Sequence, residues 1–281
     1  MTPSEDGGGD LVRVGAVAPA VVNLPLWVAA DAGLLADAGV RITETLCGTT
    51  DATTAALIDG GIDVSFGTPE GALAAPETLT ILAALANRPP LSLVAQPGIT
   101  SIPGLRGADI GTSSLQEGTV HLVQAMLDAH GLHYPGDYRF ALAGAHPQRW
   151  TALQDGSIQA ALQLVPYDYL AEDAGFSMLG RAEDYVPWFA FSAVCVRTDW
   201  ARTNHRLVEA FRGALLAAAA RIHADPDAAA EVAARHARIS PAHARRAVRR
   251  LVESDAMPSD LAVHPEAVRR TLAAMASRPA G

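Results

Sequence analysis

The chain has 281 residues, 49% of them hydrophobic and 5% aromatic, with a formal net charge of −9. That length suits one large domain or two ordinary lobes, and the acidic balance excludes a broad nucleic-acid surface. All 21 basic residues are arginine, so a Schiff-base lysine, a pyridoxal phosphate anchor and a P-loop lysine are excluded.

Residues 1–10 read as a disordered lead. The stretch MTPSEDGGGDLVRV is acidic and glycine-rich and lacks the basic and apolar regions of a secretory signal. It therefore reads as the start of a cytoplasmic chain or of one written without its export segment. No run approaches the roughly 18 apolar residues of a membrane helix, so no direct membrane insertion is expected. LVRVGAV is a first strand. LPLWVAADAGLLADAG follows in helical register to a stop at Gly39. VRITETL is a second strand, TDATTAALIDG a helix and IDVSFG a third strand. This alternation predicts an α/β fold with a largely parallel sheet.

TLTILAALAN and LSLVAQ flank Arg88-Pro89-Pro90, and two prolines between two strands mark a crossover between lobes. ADIGTS restarts the α/β pattern. A helix from about Glu117, strand YRFALAG, helix PQRWTALQDG and strand IQAALQL follow. WFAFSAVCVR is a long apolar strand and the candidate return crossing. From Thr203 the chain is nearly all helix. Asp225-Pro226 and Ser240-Pro241 are helix starts with proline at the first helical position. The densest basic patch, RRAVRRL, carries Arg245, Arg246, Arg249 and Arg250 at helical spacing and reads as a solvated face.

ALIDGGIDVSFG, from Ala56, matches ALQDGSIQAALQ, from Ala152. Ala56, Leu57, Asp59, Gly60 and Ile62 correspond to Ala152, Leu153, Asp155, Gly156 and Ile158. A true repeat and a shared αβ turn both fit, and in either case the unit occurs once in each proposed lobe. Ligands of open α/β sheets gather beyond the carboxyl ends of strands. That rule makes Gly67-Thr68-Pro69 and the stretch from Gln163 to Tyr167 site candidates.

DIGTSSLQEGTVHLVQAMLDAHG supplies another. Ser114 and Glu117 have the spacing of a capping box, and Thr119, Leu122, Val123, Met126 and Leu127 form an apolar face behind it. A capped amphipathic helix accounts for the stretch without a ligand. The same stretch also offers free helix-start N–H groups, a close-approach glycine at Gly118, and the hydroxyls of Ser113, Ser114 and Thr119. The helix dipole contributes ~0.3–1 kcal/mol to a bound anion, up to ~2 when partly buried. Micromolar binding needs about −8 kcal/mol, so cleft closure and aromatic contact must supply most of it. A carboxylate at Glu117 disfavours a doubly charged anion, which leaves a neutral, zwitterionic or weakly anionic guest. His121, one turn into the helix, reads as a packed polar residue.

His121, His130, His133 and His146 lack metal-site spacing, and no G-x-S-x-G elbow is present. No metal, cofactor or catalytic residue is expected. Cys47 and Cys195 do not make a disulfide framework, and Cys195 reads as a small buried hydrophobe. Trp27 and Trp150 read as core. Trp188, beside the return crossing, is the candidate ligand platform.

Four segments, VRVGAV…NLPLWVAADAGLLADAGVRITE, AALIDGGIDVSFGTPEGAL, ITSIPGLRGADIGTSSLQEGTVHLVQAML and ALQDGSIQAAL, together resemble the substrate-binding proteins of ABC importers. The nearest subgroup binds alkanesulfonates, nitrate and thiamine precursors, and the resemblance covers about Leu11 to Asp225. It implies a type II periplasmic-binding fold with two α/β lobes, two crossover strands and a helical C-terminal region. Lobe one would comprise residues 10–90 and 190–281, and lobe two residues 91–189. The implied cleft residues are Asn23, Thr49, Thr50, Thr68 and Glu70 from lobe one. Ser113, Ser114, Gly118, Thr119, Gln163, Tyr167 and Trp188 would come from lobe two and the crossover. The implied protein is a monomer that clamps a small molecule and serves an ABC permease. An enzyme on the same fold is the alternative, since cytoplasmic relatives catalyse dehydration, decarboxylation or desulfination, or make the thiamine pyrimidine. Cys47 with Glu70 or His121 would then do acid–base or nucleophilic work. Against this, the desulfinases carry a cysteine in the loop after strand one, and APAVVN has none. The cysteine-rich stretch of the pyrimidine synthases is also missing. A sensor domain of a regulator is a third possibility, but no helix-turn-helix precedes the fold.

Overall fold

A computed structural model describes residues 9–115 and 117–276. Most of the proposed lead, residues 1–8, lies outside the described residues. The chain begins β1 (Asp10–Ala16), α1 (Leu24–Asp31), α2 (Leu34–Asp37), β2 (Val40–Leu46), α3 (Thr50–Ile58), β3 (Val64–Gly67), α4 (Glu70–Ala74), β4 (Leu79–Ala86) and β5 (Leu91–Ala95). The middle runs β6 (Asp109–Thr112), α5 (Gly118–Asp128), β7 (Arg139–Leu142), α6 (His146–Gln154), β8 (Ala160–Leu164), α7 (Tyr167–Asp173), β9 (Ser177–Arg181), α8 (Ala182–Tyr185) and β10 (Ser192–Arg197). It closes with α9 (Thr198–Thr203), α10 (His205–Ala224), α11 (Pro226–Ala237), α12 (Pro241–Glu253) and α13 (Pro265–Ala276).

The strands form two five-stranded sheets, ordered β2-β1-β3-β10-β4 and β7-β6-β8-β5-β9. The two orders share one plan. Three strands of each sheet run parallel: β2-β1-β3 in one, β7-β6-β8 in the other. The fourth strand arrives from the other half of the chain and lies antiparallel to both its neighbours. The sheets are therefore mixed, which corrects the expectation of a largely parallel sheet. The prolines after Arg88 lead into β5, and the long apolar segment leads into β10, so both expected crossovers exist.

Burial explains which runs became interior strands. Every residue of β5 and β8 is buried, so both read as near-continuous apolar runs broken only by Ser92 and Gln163. The return crossing is shorter than its apolar run. Only Ser192–Arg197 is strand, while Phe189 N and Phe191 N donate to Asn87 O and Ala86 O, both at 2.9 Å. The long first helix is broken, because Gly33 at φ +74° divides α1 from α2. The two proline starts behave as the sequence implies. The Asp225 side chain accepts from Ala228 N (3.0 Å) and Ser240 Oγ from His243 N (3.2 Å).

The arginine patch on α12 is not a solvated face throughout. Arg245 and Arg249 are exposed, but Arg250 is buried. Its guanidinium donates to Asp168 Oδ2 (2.6 Å), Glu183 Oε1 (2.9 Å), Ser92 Oγ (2.9 Å) and Leu91 O (3.1 Å). Arg246 pairs with Glu172 and Asp173 and covers the Tyr169 ring at 4.0 Å. Helix α12 is thereby fixed to β5, α7 and α8.

Candidate functional site

The three parallel strands of each sheet end in loops, and all six loops meet at one cavity of about 240 Å³. Val17 to Ala20, Val22 and Asn23 follow β1. Gly48, Thr49 and Thr50 follow β2. Gly67, Thr68 and Glu70 end or follow β3. From the second sheet come Ser113 and Glu117 to Thr119 after β6. Gly144 to Pro147 and Arg149 follow β7, and Val165 to Tyr167 follow β8. Phe189, Phe191 and Ser192 from the return crossing and Ala237 and Ile239 after α11 complete the wall. This is where ligands of open α/β sheets collect, and here two sheets contribute at once. Thr68 Oγ1 is buried beside this space without a hydrogen-bond partner among the described residues. A buried hydroxyl left so is costly unless something else meets it.

An ion pair forms part of the wall on the second-sheet side. Glu117 Oε1 accepts from Arg149 Nη2 at 2.5 Å, and the two side chains are 16% and 2% exposed. The carboxylate also accepts from the hydroxyls of Thr112, Ser113 and Thr119 and from Ser113 N (3.2 Å). Burial by itself would raise the Glu117 carboxyl. The Arg149 charge and the three hydroxyls outweigh it and hold the group below its ordinary value. Arg149 is fixed in turn. Nε donates to Gly144 O (2.8 Å) and Nη1 to Leu162 O (3.4 Å). Next to it, burial and then the Arg149 charge push His146 down to about 3, so its ring is neutral. His146 Nδ1 accepts from Leu164 N (3.2 Å).

This geometry corrects the expected capping box. Helix α5 starts at Gly118 with Glu117 at the N-cap position, and the Glu117 side chain makes no cap bond. It reaches back toward β6 and across to α6. A protein carboxylate therefore stands beside the helix start without capping it.

Nine of the twelve residues expected in the cleft line the cavity: Asn23, Thr49, Thr50, Thr68, Glu70, Ser113, Gly118, Thr119 and Tyr167. Several have structural tasks as well. Asn23 Nδ2 donates to Ala18 O (2.9 Å), and Thr49 Oγ1 caps α3 by accepting from Ala52 N (3.1 Å). Ser114, Gln163 and Trp188 stand outside the wall. Ser114 O accepts from Thr112 Oγ1 (3.0 Å). The Gln163 amide, oriented so that both ends are satisfied, donates to His146 O (3.2 Å) and accepts from Trp150 N (3.0 Å). Gln163 therefore positions α6 from behind. The Trp188 ring is sandwiched, with His264 stacked at 3.7 Å and the Arg88 guanidinium at 4.1 Å. Both its faces are covered, so it offers no platform, and Phe189 and Phe191 supply the aromatic wall.

Arg149, His146 and these two phenylalanines were missed from the sequence. The first two lie in the first turn of α6, directly after the loop that follows β7, the one strand end of six with no expected site residue. The strand-end rule that selected Gly67-Thr68-Pro69 and the stretch from Gln163 to Tyr167 applied equally to Ala145-His146-Pro147. Cys47 and His121 do not line the cavity, and Cys195 is buried, with its thiol pushed up to about 12 by burial and then by Glu70.

Gly118 measures how closely the two sides approach. A Cβ built there would lie 2.8 Å from Phe189 Cζ and 2.8 Å from Glu70 Oε1. Gly118→Ala is expected to cost about 1–3 kcal/mol through overpacking. Gly213, in exposed helical surroundings, has nothing within 4 Å of its added Cβ. Gly213→Ala is expected to stabilise by about 1 kcal/mol. Urea unfolding of both variants checks the pair, and equal effects would contradict the tight approach at Gly118.

A model of the NMT1/THI5-like family matches residues 21–229. No curated protein sequence matches the chain. Among solved structures, a ligand-binding component of an ABC-type import system from Staphylococcus aureus, with zinc bound, is 14% identical with a TM-score of 0.80, covering 95% of this chain and 91% of that one. The alkanesulfonate-binding protein SsuA from Xanthomonas axonopodis pv. citri, bound to MOPS, is 17% identical with a TM-score of 0.76, covering 96% and 94%. A Candida albicans gene product with the generic periplasmic binding protein fold is 13% identical with a TM-score of 0.74, covering 97% and 92%. The chain has the periplasmic binding protein fold.

Proposed function

The chain belongs to the NMT1/THI5-like family, and from that premise we propose that it is a small-molecule-binding protein of an ABC importer. Its two lobes, residues 10–90 with 190–281 and residues 91–189, clamp a small organic guest in the cavity between them. The observation that carries this reading is the convergence of six strand-end loops, three from each sheet, on one cavity. The loops after β1, β2 and β3 hold one side of the guest and those after β6, β7 and β8 the other. Thr68 Oγ1 meets its polar group. The importer assignment is supported by the likeness to the Staphylococcus and Xanthomonas binding components. The protein acts as a monomer that docks on a permease. Among the described residues no helix is long and apolar enough to cross a membrane.

The guest is held and released unchanged. Incubation with a panel of small organic molecules should raise the melting temperature for a subset, and mass spectrometry should recover that subset intact. A new product that accumulates with time and protein concentration would replace the binding role with catalysis.

A further inference from the structure

The wall of the cavity restricts the charge of its guest. Arg149 is the only guanidinium among the described lining residues, and the sequence has no lysine. Each of its three nitrogens already donates to a protein oxygen, and its charge is matched by Glu117 at 2.5 Å. The start of α5, where an anion would otherwise be favoured, is flanked by the Glu117 carboxylate, which accepts from Thr119 Oγ1 in the first turn and whose negative charge opposes an anion there. Glu70, the second carboxylate of the wall, adds no positive charge. Most of the remaining wall is apolar, with Val17, Val22, Phe66, Leu164, Phe189 and Phe191 among it. An anion entering this space would leave water for a wall without an uncompensated cation, which is strongly unfavourable.

We infer that the guest is uncharged, a largely apolar body about the size of a substituted ring with a single polar head, and that Glu117, by compensating Arg149, deprives the cavity of a cation that could hold an anion. The inference rests on the clamp reading above and narrows it. The size follows from the volume: 240 Å³ exceeds the roughly 150 Å³ void that admits benzene in an engineered protein core. The polar head meets the buried hydroxyl of Thr68, which can donate or accept. The neutral ring of His146 leaves the wall without a second cation.

The test compares probes that differ in charge but hardly in shape. Benzenesulfonamide is paired with benzenesulfonate and benzamide with benzoate, with benzamidine as the cation, all by isothermal titration calorimetry at neutral pH. The neutral member of each pair should bind at least about ten-fold more tightly than its anion. Equal or tighter binding of either anion, or tightest binding by benzamidine, overturns the inference. Glu117→Gln leaves Arg149 uncompensated and should narrow the neutral-to-anion ratio by about ten-fold or reverse it. An unchanged ratio overturns the role given to the pair. Glu117→Gln combined with Arg149→Gln removes both charges and should keep the preference for neutral probes, so the test survives if the single variant folds poorly. If none of the five probes binds at millimolar concentration, the inferred guest is overturned; the clamp reading fails only if the wider panel of small organic molecules also yields no ligand, an outcome distinct from a reversed charge preference.

Discussion

Arg149→Ala is expected to destabilise the protein by about 3–5 kcal/mol at neutral pH, because it leaves a buried carboxylate without its partner. The Arg149 side chain is 2% exposed, and its charge, together with the three hydroxyls, offsets the burial of Glu117. The pH dependence should change sign between the two proteins. In the native protein the folded-state value of Glu117 is lowered. Its stabilising contribution is therefore complete above the ordinary carboxylate value of about 4.3 and is lost as pH falls through the lowered folded value. In Arg149→Ala only burial and hydroxyls remain, and the folded-state value rises. The deficit of the variant should then shrink as pH falls, because the protonated acid carries no buried charge. Urea unfolding of both proteins across the acidic range reads this directly. A loss below about 1 kcal/mol, the range of an exposed pair, would contradict the buried-pair account.

Two neighbouring arginines on α12 should behave very differently. Arg250→Ala is expected to cost about 3–5 kcal/mol, since it leaves Asp168, which is fully buried, without its cation. Burial pushes the Asp168 carboxyl up despite the Arg250 charge beside it, so removal of that charge leaves the group strongly biased toward protonation. Glu183, 12% exposed, loses the same partner. Arg249→Ala removes an exposed pair with Asp227 (3.0 Å) and should change stability by no more than about 1 kcal/mol. Denaturation midpoints of the two variants decide the matter. Similar losses would mean that Arg250 does not anchor α12 to β5, α7 and α8.

The sequence conveyed the order of strands and helices because each local pattern agreed with the global fold. The runs LVRVGAV, VRITETL and IDVSFG became β1, β2 and β3, and the prolines after Arg88 marked a real crossover. The helix starts at Asp225-Pro226 and Ser240-Pro241, with proline directly after the cap, also survived folding. Side-chain direction was harder to read. Arg250 lies three residues after Ala247 and next to Leu251, at the edge of the apolar stripe of α12. Spacing places it near the buried face, but only the tertiary partners Asp168 and Glu183 show why a charge belongs there. Glu117 has the same history. Its distance from Ser114 fits a local cap, yet the stronger attraction is Arg149, 32 residues away. Trp188 was judged by its position beside the crossover, while the groups that cover its two faces, Arg88 and His264, are distant in sequence. In each case the local pattern was sound, and a long-range charge or ring contact decided the outcome.

The central claim is that strand-end loops from two sheets jointly enclose one uncharged guest, and a crystal structure grown with benzenesulfonamide tests it most directly. The account predicts the ring in the cavity, touching both the Gly48–Thr50 loop and the loop carrying Ala145 and His146, with its polar head at Thr68 Oγ1. A ring held by the loops of one sheet alone, or seated on the outer surface with the cavity closed to it, would contradict the account.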